Sequence, residues 1–228
     1  MSIKDNLYEI DNKIKLALEK AGRKDEVSLV AVTKTLPVER IIEALDLGII
    51  DIGENKVQEL TEKMGILGNR PRYHMIGHLQ TNKVKYIVDN VHLIHSLDRI
   101  SLAKEIDKRG KASDRILDTL IQVNIAQEDT KFGMMEDEVI PFIEKVLMME
   151  NISVKGLMTI APFTEDESVL RNTFSGLYNL GERIKAQNYK ELSMDILSMG
   201  MTNDFELAIE EGSNMIRVGT GIFGKRNY

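Results

Sequence analysis

One pattern constrains this chain more than any other. Short apolar, β-branched runs alternate with stretches whose apolar residues recur every three or four positions, along nearly the whole length. The run Val27-Ser28-Leu29-Val30-Ala31-Val32-Thr33 is almost wholly apolar, which suits a strand covered on both faces, as in a parallel sheet. Further runs of this kind are Ile49–Ile52, Tyr73–Ile76, Val91–Ile94, Leu117–Val123, Val154–Met158, Met194–Leu197 and Met215–Val218. Between them lie helical stretches. One runs from Pro37 to Leu47, with Pro37 in its first turn and Gly48 after it. Another carries Val57, Leu60 and Met64 on one face. Others are expected over Gln80–Val88, Asp98–Arg109, Glu136–Met149 and Asn203–Glu211. The long helix before strand seven opens with Thr164-Glu165-Asp166-Glu167, which reads as a capping box. Ahead of everything, Ile3, Leu7, Ile10, Ile14, Ala17 and Ala21 form one helical stripe that Gly22 ends.

Eight strands, each but the last followed by a helix, imply a parallel sheet. In 228 residues they favour a closed (β/α)8 TIM barrel over a doubly wound sheet. Only ten residues follow the last strand, so its outer helix must be absent or tiny. The extra N-terminal helix is expected to cover the gap. No linker, repeat or low-complexity stretch interrupts the pattern, so residues 1–228 are read as a single domain.

Composition excludes several functions. With no cysteine there can be no disulfide, thiolate nucleophile or cysteine-ligated metal. The net charge is -6 and no stretch is strongly basic, so nucleic acid is a poor partner. No apolar run reaches the roughly 18–20 residues of a membrane span. The N-terminus is charged within five residues and has no apolar h-region, so a cytoplasmic location is expected.

In a barrel the reactive face lies at the C-terminal ends of the strands. Lys34, Asn55, His78, Asn124, Ser198 and Arg217 fall there. The loop after strand seven, Ser198-Met199-Gly200-Met201-Thr202, and the loop after strand eight, Gly219-Thr220-Gly221-Ile222-Phe223-Gly224, are rich in glycine and hydroxyls. Such loops let backbone N–H groups approach a phosphate. In a closed barrel strand one adjoins strand eight, so Lys34 lies beside them, on the face of Val30 and Val32. A lysine next to a phosphate site points to pyridoxal 5'-phosphate (PLP) or to a sugar-phosphate Schiff-base enzyme. Arg217 could hold a pyridine nitrogen unprotonated, which would weaken the ring as an electron sink. His74 and His78 are four apart but straddle a strand end, so no metal is assigned.

At these residues the sequence resembles the pyridoxal phosphate homeostasis protein family, related to the N-terminal barrel of alanine racemase. The likeness runs from Gly22 to Gly224. It includes Ala31-Val32-Thr33-Lys34-Thr35, Gly53-Glu54-Asn55-Lys56-Val57-Gln58-Glu59 and His74-Met75-Ile76-Gly77-His78-Leu79-Gln80-Thr81-Asn82-Lys83. It ends in Leu197-Ser198-Met199-Gly200-Met201-Thr202 and Arg217-Val218-Gly219-Thr220-Gly221-Ile222-Phe223-Gly224. Thr33 and Thr202 stand where serine is common in the family, Lys56 where arginine is, and Ile52 where an aromatic is.

The resemblance implies that Lys34 carries PLP as a Schiff base and that Ser198, Gly219 and Thr220 hold its phosphate. It also implies that Arg217 faces the pyridine nitrogen and that Asn55 contacts the ring. Lys131 matches a family lysine. The implied function is non-enzymatic: storage, buffering or delivery of PLP, with PLP-dependent apoenzymes as recipients. The alternative is a PLP-dependent amino-acid racemase. As the racemase kinship implies, racemisation needs a second base from a C-terminal domain, and the chain stops at Tyr228. That favours the binder, and an open barrel lacking that domain is expected to be a monomer.

Overall fold

The computed structural model describes residues 2–128, 131–190 and 192–224. Eight parallel strands close a barrel in sequence order: β1 (Ser28–Val32), β2 (Asp51–Glu54), β3 (Arg72–Met75), β4 (Val91–Leu97), β5 (Leu117–Gln122), β6 (Ile152–Met158), β7 (Ile196–Ser198) and β8 (Met215–Val218). Closure is made by β1 on β8, with Val30 opposite Arg217 and Ala31 opposite Val218.

Alternation along the strands sorts their side chains into two cores. Ala31, Ile52, Ile121, Leu157, Ile216 and Val218 belong to the large shell between sheet and helices. Val30, Leu93, Leu120, Met158 and Met215 form a separate cluster, which plugs the barrel interior. Each such side chain fully buried contributes roughly 1.5–3 kcal/mol relative to exposure. Lys34 continues the parity of Val30 and Val32, and that sends it into the mouth of the barrel.

The helix layer is α1 (Ile3–Lys20), α2 (Val38–Asp46), α3 (Val57–Leu67), α4 (Ile100–Ala112), α5 (Val139–Val146), α6 (Glu167–Lys185), α7 (Phe205–Glu210) and α8 (Thr220–Phe223). A capping box between Ser2 and Asp5 starts α1, which buries Ile3, Ile10 and Ala17. The helix packs on α7 and α8, and Asn6 Nδ2 donates to Ile222 O at 2.7 Å. The expected cover over the four-residue α8 is thus in place. Among the described residues no helix is long and apolar enough to cross a membrane.

Four local expectations need correction. The segment expected as a helix over Gln80–Val88 is a 3-10 helix, Thr81–Tyr86. It is short and carries Thr81, Asn82 and Val84, all weak helix formers. The expected helix over Glu136–Met149 is a 3-10 turn, Glu136–Glu138, followed by the shorter α5. Strands β2 and β7 begin two residues later than the apolar runs do, because Ile49, Ile50 and Met194 precede the parallel ladder. Lastly, Asp166 rather than Thr164 caps α6, accepting from the N–H groups of Ser168 and Val169. The Thr164 hydroxyl instead accepts from Asp166 N one turn earlier. A carboxylate is the stronger N-cap acceptor, and it wins the helix start.

Candidate functional site

A cavity of about 420 Å³ opens at the C-terminal ends of the strands. Lys34, Lys131, Thr202, Arg217, Gly219 and Thr220 are among its lining residues, together with Val32 and Ile160. Strand parity brings Lys34 and Arg217 here from the two strands that close the barrel.

The backbone on either side of Lys34 is tied down. Lys63 Nζ donates to Thr33 O at 2.7 Å and pairs with the Glu54 carboxylate. The Thr33 hydroxyl donates to the same carboxylate. Glu54 and Lys63 are both buried, at 0% and 5% exposure, so the pair cannot dissolve into water. Burial raises the Glu54 carboxyl above its ordinary range, against the opposing pull of Lys63 and Thr33. On the other side, Thr35 N donates to Glu59 Oε2 at 2.6 Å. Thr35 itself has φ of 60°, the left-handed region that a β-branched residue rarely enters. Lys34 therefore sits between two anchored peptide groups, one held by the Lys63 ammonium and the other by the Glu59 carboxylate.

Opposite the lysine, the loops after β7 and β8 meet. Thr220 Oγ1 lies 3.2 Å from Thr202 Oγ1, which also accepts from Gly221 N at 3.3 Å. Helix α8 starts at Thr220, and its turn closes on Gly219, whose carbonyl accepts from Ile222 N and Phe223 N at 3.0 Å. Gly200 has φ of 93°, and a Cβ there would lie 2.6 Å from Ala208 Cβ. The turn that brings Thr202 across to Thr220 therefore requires glycine.

Ser198 lies elsewhere. It is the last residue of β7, it is fully buried, and it is absent from the cavity lining. Its Oγ accepts from Arg217 Nη1 at 2.6 Å and stands 3.0 Å from His95 Nδ1. Of the two hydroxyls in that loop, the structure brings Thr202 to Thr220 and keeps Ser198 beneath Arg217.

Arg217 is buried, at 4% exposure, and Nη2 donates to Thr159 O at 2.8 Å. Burial lowers its pKa to about 10, partly countered by the nearby Asp204 carboxylate, so it stays cationic at neutral pH. Burial in turn raises the Asp204 carboxyl, which accepts from Met201 N. Surface salt-bridge chemistry, the plainer role for an arginine, does not describe this residue.

Asn55 occupies an exposed turn outside the cavity lining. Its backbone packs against Gly77, where an added Cβ would lie 2.4 Å from Asn55 O. Lys131 lines the cavity, pairs with Glu128 and donates to Ile160 O at 3.4 Å. His78 stacks on Phe132 with centroids 4.0 Å apart, and its Nδ1 lies 3.3 Å from Asp98. His74 points into the barrel instead and meets His95. The two histidines spaced four apart therefore serve different places. Sequence reasoning missed the role of Asp51, His74 and His95 beneath Arg217, because each comes from a different strand.

The alanine racemase N-terminal domain model matches residues 6–227. A pyridoxal phosphate homeostasis protein of Aquifex aeolicus (strain VF5) is 41% identical over 230 residues, covering 100% of both chains. The structure of PipY of Synechococcus elongatus PCC7942 with PLP bound has a TM-score of 0.86 at 28% identity, covering 98% of this chain and 100% of that one. Alanine racemase of Clostridium difficile 630 shares the fold at a TM-score of 0.76 and 14% identity, over 98% of this chain and 57% of that one. With its closed barrel and its lysine-and-hydroxyl mouth, this chain belongs to the pyridoxal phosphate homeostasis protein family, on the alanine racemase N-terminal domain fold.

Proposed function

We propose that this protein binds PLP at the barrel mouth and holds it in exchangeable form, as a cofactor reserve rather than as an enzyme. The observation that carries the reading is the shared cavity: Lys34 lines it together with a hydroxyl pair, Thr202 and Thr220, and the buried Arg217 cation. About 420 Å³ is within the range of roughly 300–1,000 Å³ typical of small-ligand sites.

The residues fit the cofactor group by group. Lys34 supplies the amine for a Schiff base. Thr202, Gly219 and Thr220 supply hydroxyl and backbone donors for the phosphate, and Thr202 takes the place first given to Ser198. Asn55 would reach the ring only by moving in from its exposed turn. When bound, PLP supplies a reactive aldehyde and a ring that can accept electron density. An arginine can only donate hydrogen bonds, so a ring nitrogen facing Arg217 must stay an unprotonated acceptor. That arrangement weakens electron withdrawal and favours holding the cofactor over turning over amino acids.

Residues 1–228 act as one cofactor-binding domain on this reading, and PLP-dependent apoenzymes are the natural recipients. A monomer is the state expected on this reading. The test is an absorbance scan of the purified protein after PLP loading. A yellow band that Lys34→Ala abolishes is expected, with no racemase, decarboxylase or transaminase turnover across an amino-acid panel. A colourless protein, or brisk turnover of any amino acid, would overturn it.

A further inference from the structure

Beneath Arg217 a line of buried polar side chains crosses the barrel interior. Arg217 Nη1 donates to Ser198 Oγ at 2.6 Å, and Ser198 Oγ stands 3.0 Å from His95 Nδ1. His95 Nε2 is 2.9 Å from His74 Nδ1, and His74 Nε2 is 2.9 Å from Asp51 Oδ1. Arg72 closes the line with two bonds to the Asp51 carboxylate, at 2.7 and 2.6 Å. Five strands contribute: β8, β7, β4, β3 and β2. Asp51, His74, His95 and Ser198 are exposed by 3% or less. Asp51 and Arg72 are the first residues of their strands, so the line ends at the floor of the barrel, opposite the mouth.

Donor and acceptor chemistry fixes its direction. An arginine only donates, and an ionised carboxylate only accepts. Ser198 accepts from Arg217, so its own proton must go to His95 Nδ1. His95 then carries its proton on Nε2 and donates to His74 Nδ1. His74 in turn carries its proton on Nε2 and donates to Asp51. Every polar atom on the line is satisfied when both rings are neutral, and any reversal leaves the Ser198 proton without an acceptor. The shifts agree in sign. Burial first, then the neighbouring His74 and Arg217, holds the His95 imidazolium well below its ordinary range. Burial alone would raise the Asp51 carboxyl, but the bonds from His74 and Arg72 outweigh it and lower it. The other ionisable groups facing the line are His92, edge-on to His74 at 5.4 Å, and Asp204 near Arg217.

We propose that Asp51, His74, His95 and Ser198 are positioning residues: one directional chain that fixes the Arg217 guanidinium and carries the Asp51 charge to it. A buried arginine without such support would swing or draw in water. Held on Ser198 and Thr159 O, it keeps its remaining N–H groups for the cavity. The chain thereby couples the Arg72–Asp51 pair at the floor to the ligand at the mouth.

The inference rests on the proposed cofactor site for its consequence, but not for its existence. The first test therefore uses the full-length protein without cofactor. Long-range nitrogen–proton NMR spectra of the imidazole rings should show His74 and His95 both neutral and both protonated on Nε2 at neutral pH. A Nδ1–H tautomer or an imidazolium at either position would overturn the chain. The second test compares Asp51→Asn and His95→Gln with the wild type after PLP loading. Both should keep the yellow band while shifting the pH at which it titrates and releasing PLP about tenfold faster. Wild-type titration and release in both variants would overturn the coupling. If the wild type itself shows no band that depends on Lys34, the cofactor reading fails, while the tautomer result still decides the chain.

Discussion

Thr202 Oγ1 and Thr220 Oγ1 stand 3.2 Å apart although they come from loops that follow different strands. Two hydroxyls held at that distance can donate to one anion together. Thr202→Val and Thr220→Val should each weaken both PLP and inorganic phosphate by about tenfold or more, as expected for loss of a hydrogen bond to a charged group. Ser198→Ala should leave phosphate affinity unchanged, because Ser198 serves Arg217 rather than the loops. Isothermal titration with phosphate alone separates the three variants, and an equal loss in Ser198→Ala would contradict the assignment.

His95 makes stability depend on pH. Its folded pKa lies below the unfolded value of about 6.5, so the unfolded chain binds a proton that the native chain refuses. Its contribution is fully present above that unfolded value and is lost as pH falls from there toward the folded pKa. The slope is at most about 1.4 kcal/mol per pH unit for this one proton. Asp51, also lowered, adds a loss of the same sign only below its ordinary carboxylate range. Urea denaturation between pH 7 and pH 5 should show the first slope in the wild type and a flatter one in His95→Gln.

The Glu54–Lys63 pair behind Lys34 is buried on both sides. Removing one partner leaves an uncompensated charge, at a cost of about 3–5 kcal/mol. Lys63→Met should therefore destabilise the protein by that order, and the double change Lys63→Met with Glu54→Leu should recover most of the loss. Chemical denaturation of the single and double variants checks this. Additive losses would mean that the two residues act independently.

Two glycines are set by close backbone approach. A Cβ on Gly156 would lie 1.8 Å from Ile196 O, between β6 and β7. Gly156→Ala should cost at least about 3 kcal/mol, the scale of severe overpacking. At Gly77 the clash is with Asn55, so Gly77→Ala should displace the turn after β2 at the rim of the mouth. The thermal midpoint reads the first change. For the second, loss of PLP affinity exceeding the loss of stability is expected.

Much of the architecture was local information. The apolar runs around Val30 and Ile216 and the stripe from Ile3 to Ala21 each carry their own periodicity, and periodicity depends only on neighbours in the chain. Strand count, the barrel, the cover over α8 and the inward turn of Lys34 follow from it. Where local preferences were weak or competed, the sequence misled. Thr81–Tyr86 mixes Lys83 and Lys85 with the weak helix formers Thr81, Asn82 and Val84, and Asp166 outcompetes Thr164 for the cap.

The set of elements, and which strand end bears each polar group, is therefore written in the chain's local order. Tertiary structure alone decided which of those groups meet. Ser198 and His95 are 103 positions apart, and Thr202 and Thr220 are 18 apart on separate loops. Their contacts exist only because barrel closure and strand register bring them into one layer. A hydroxyl on a linear sequence looks the same in either place. Its partner is chosen by which face of the closed sheet it lands on.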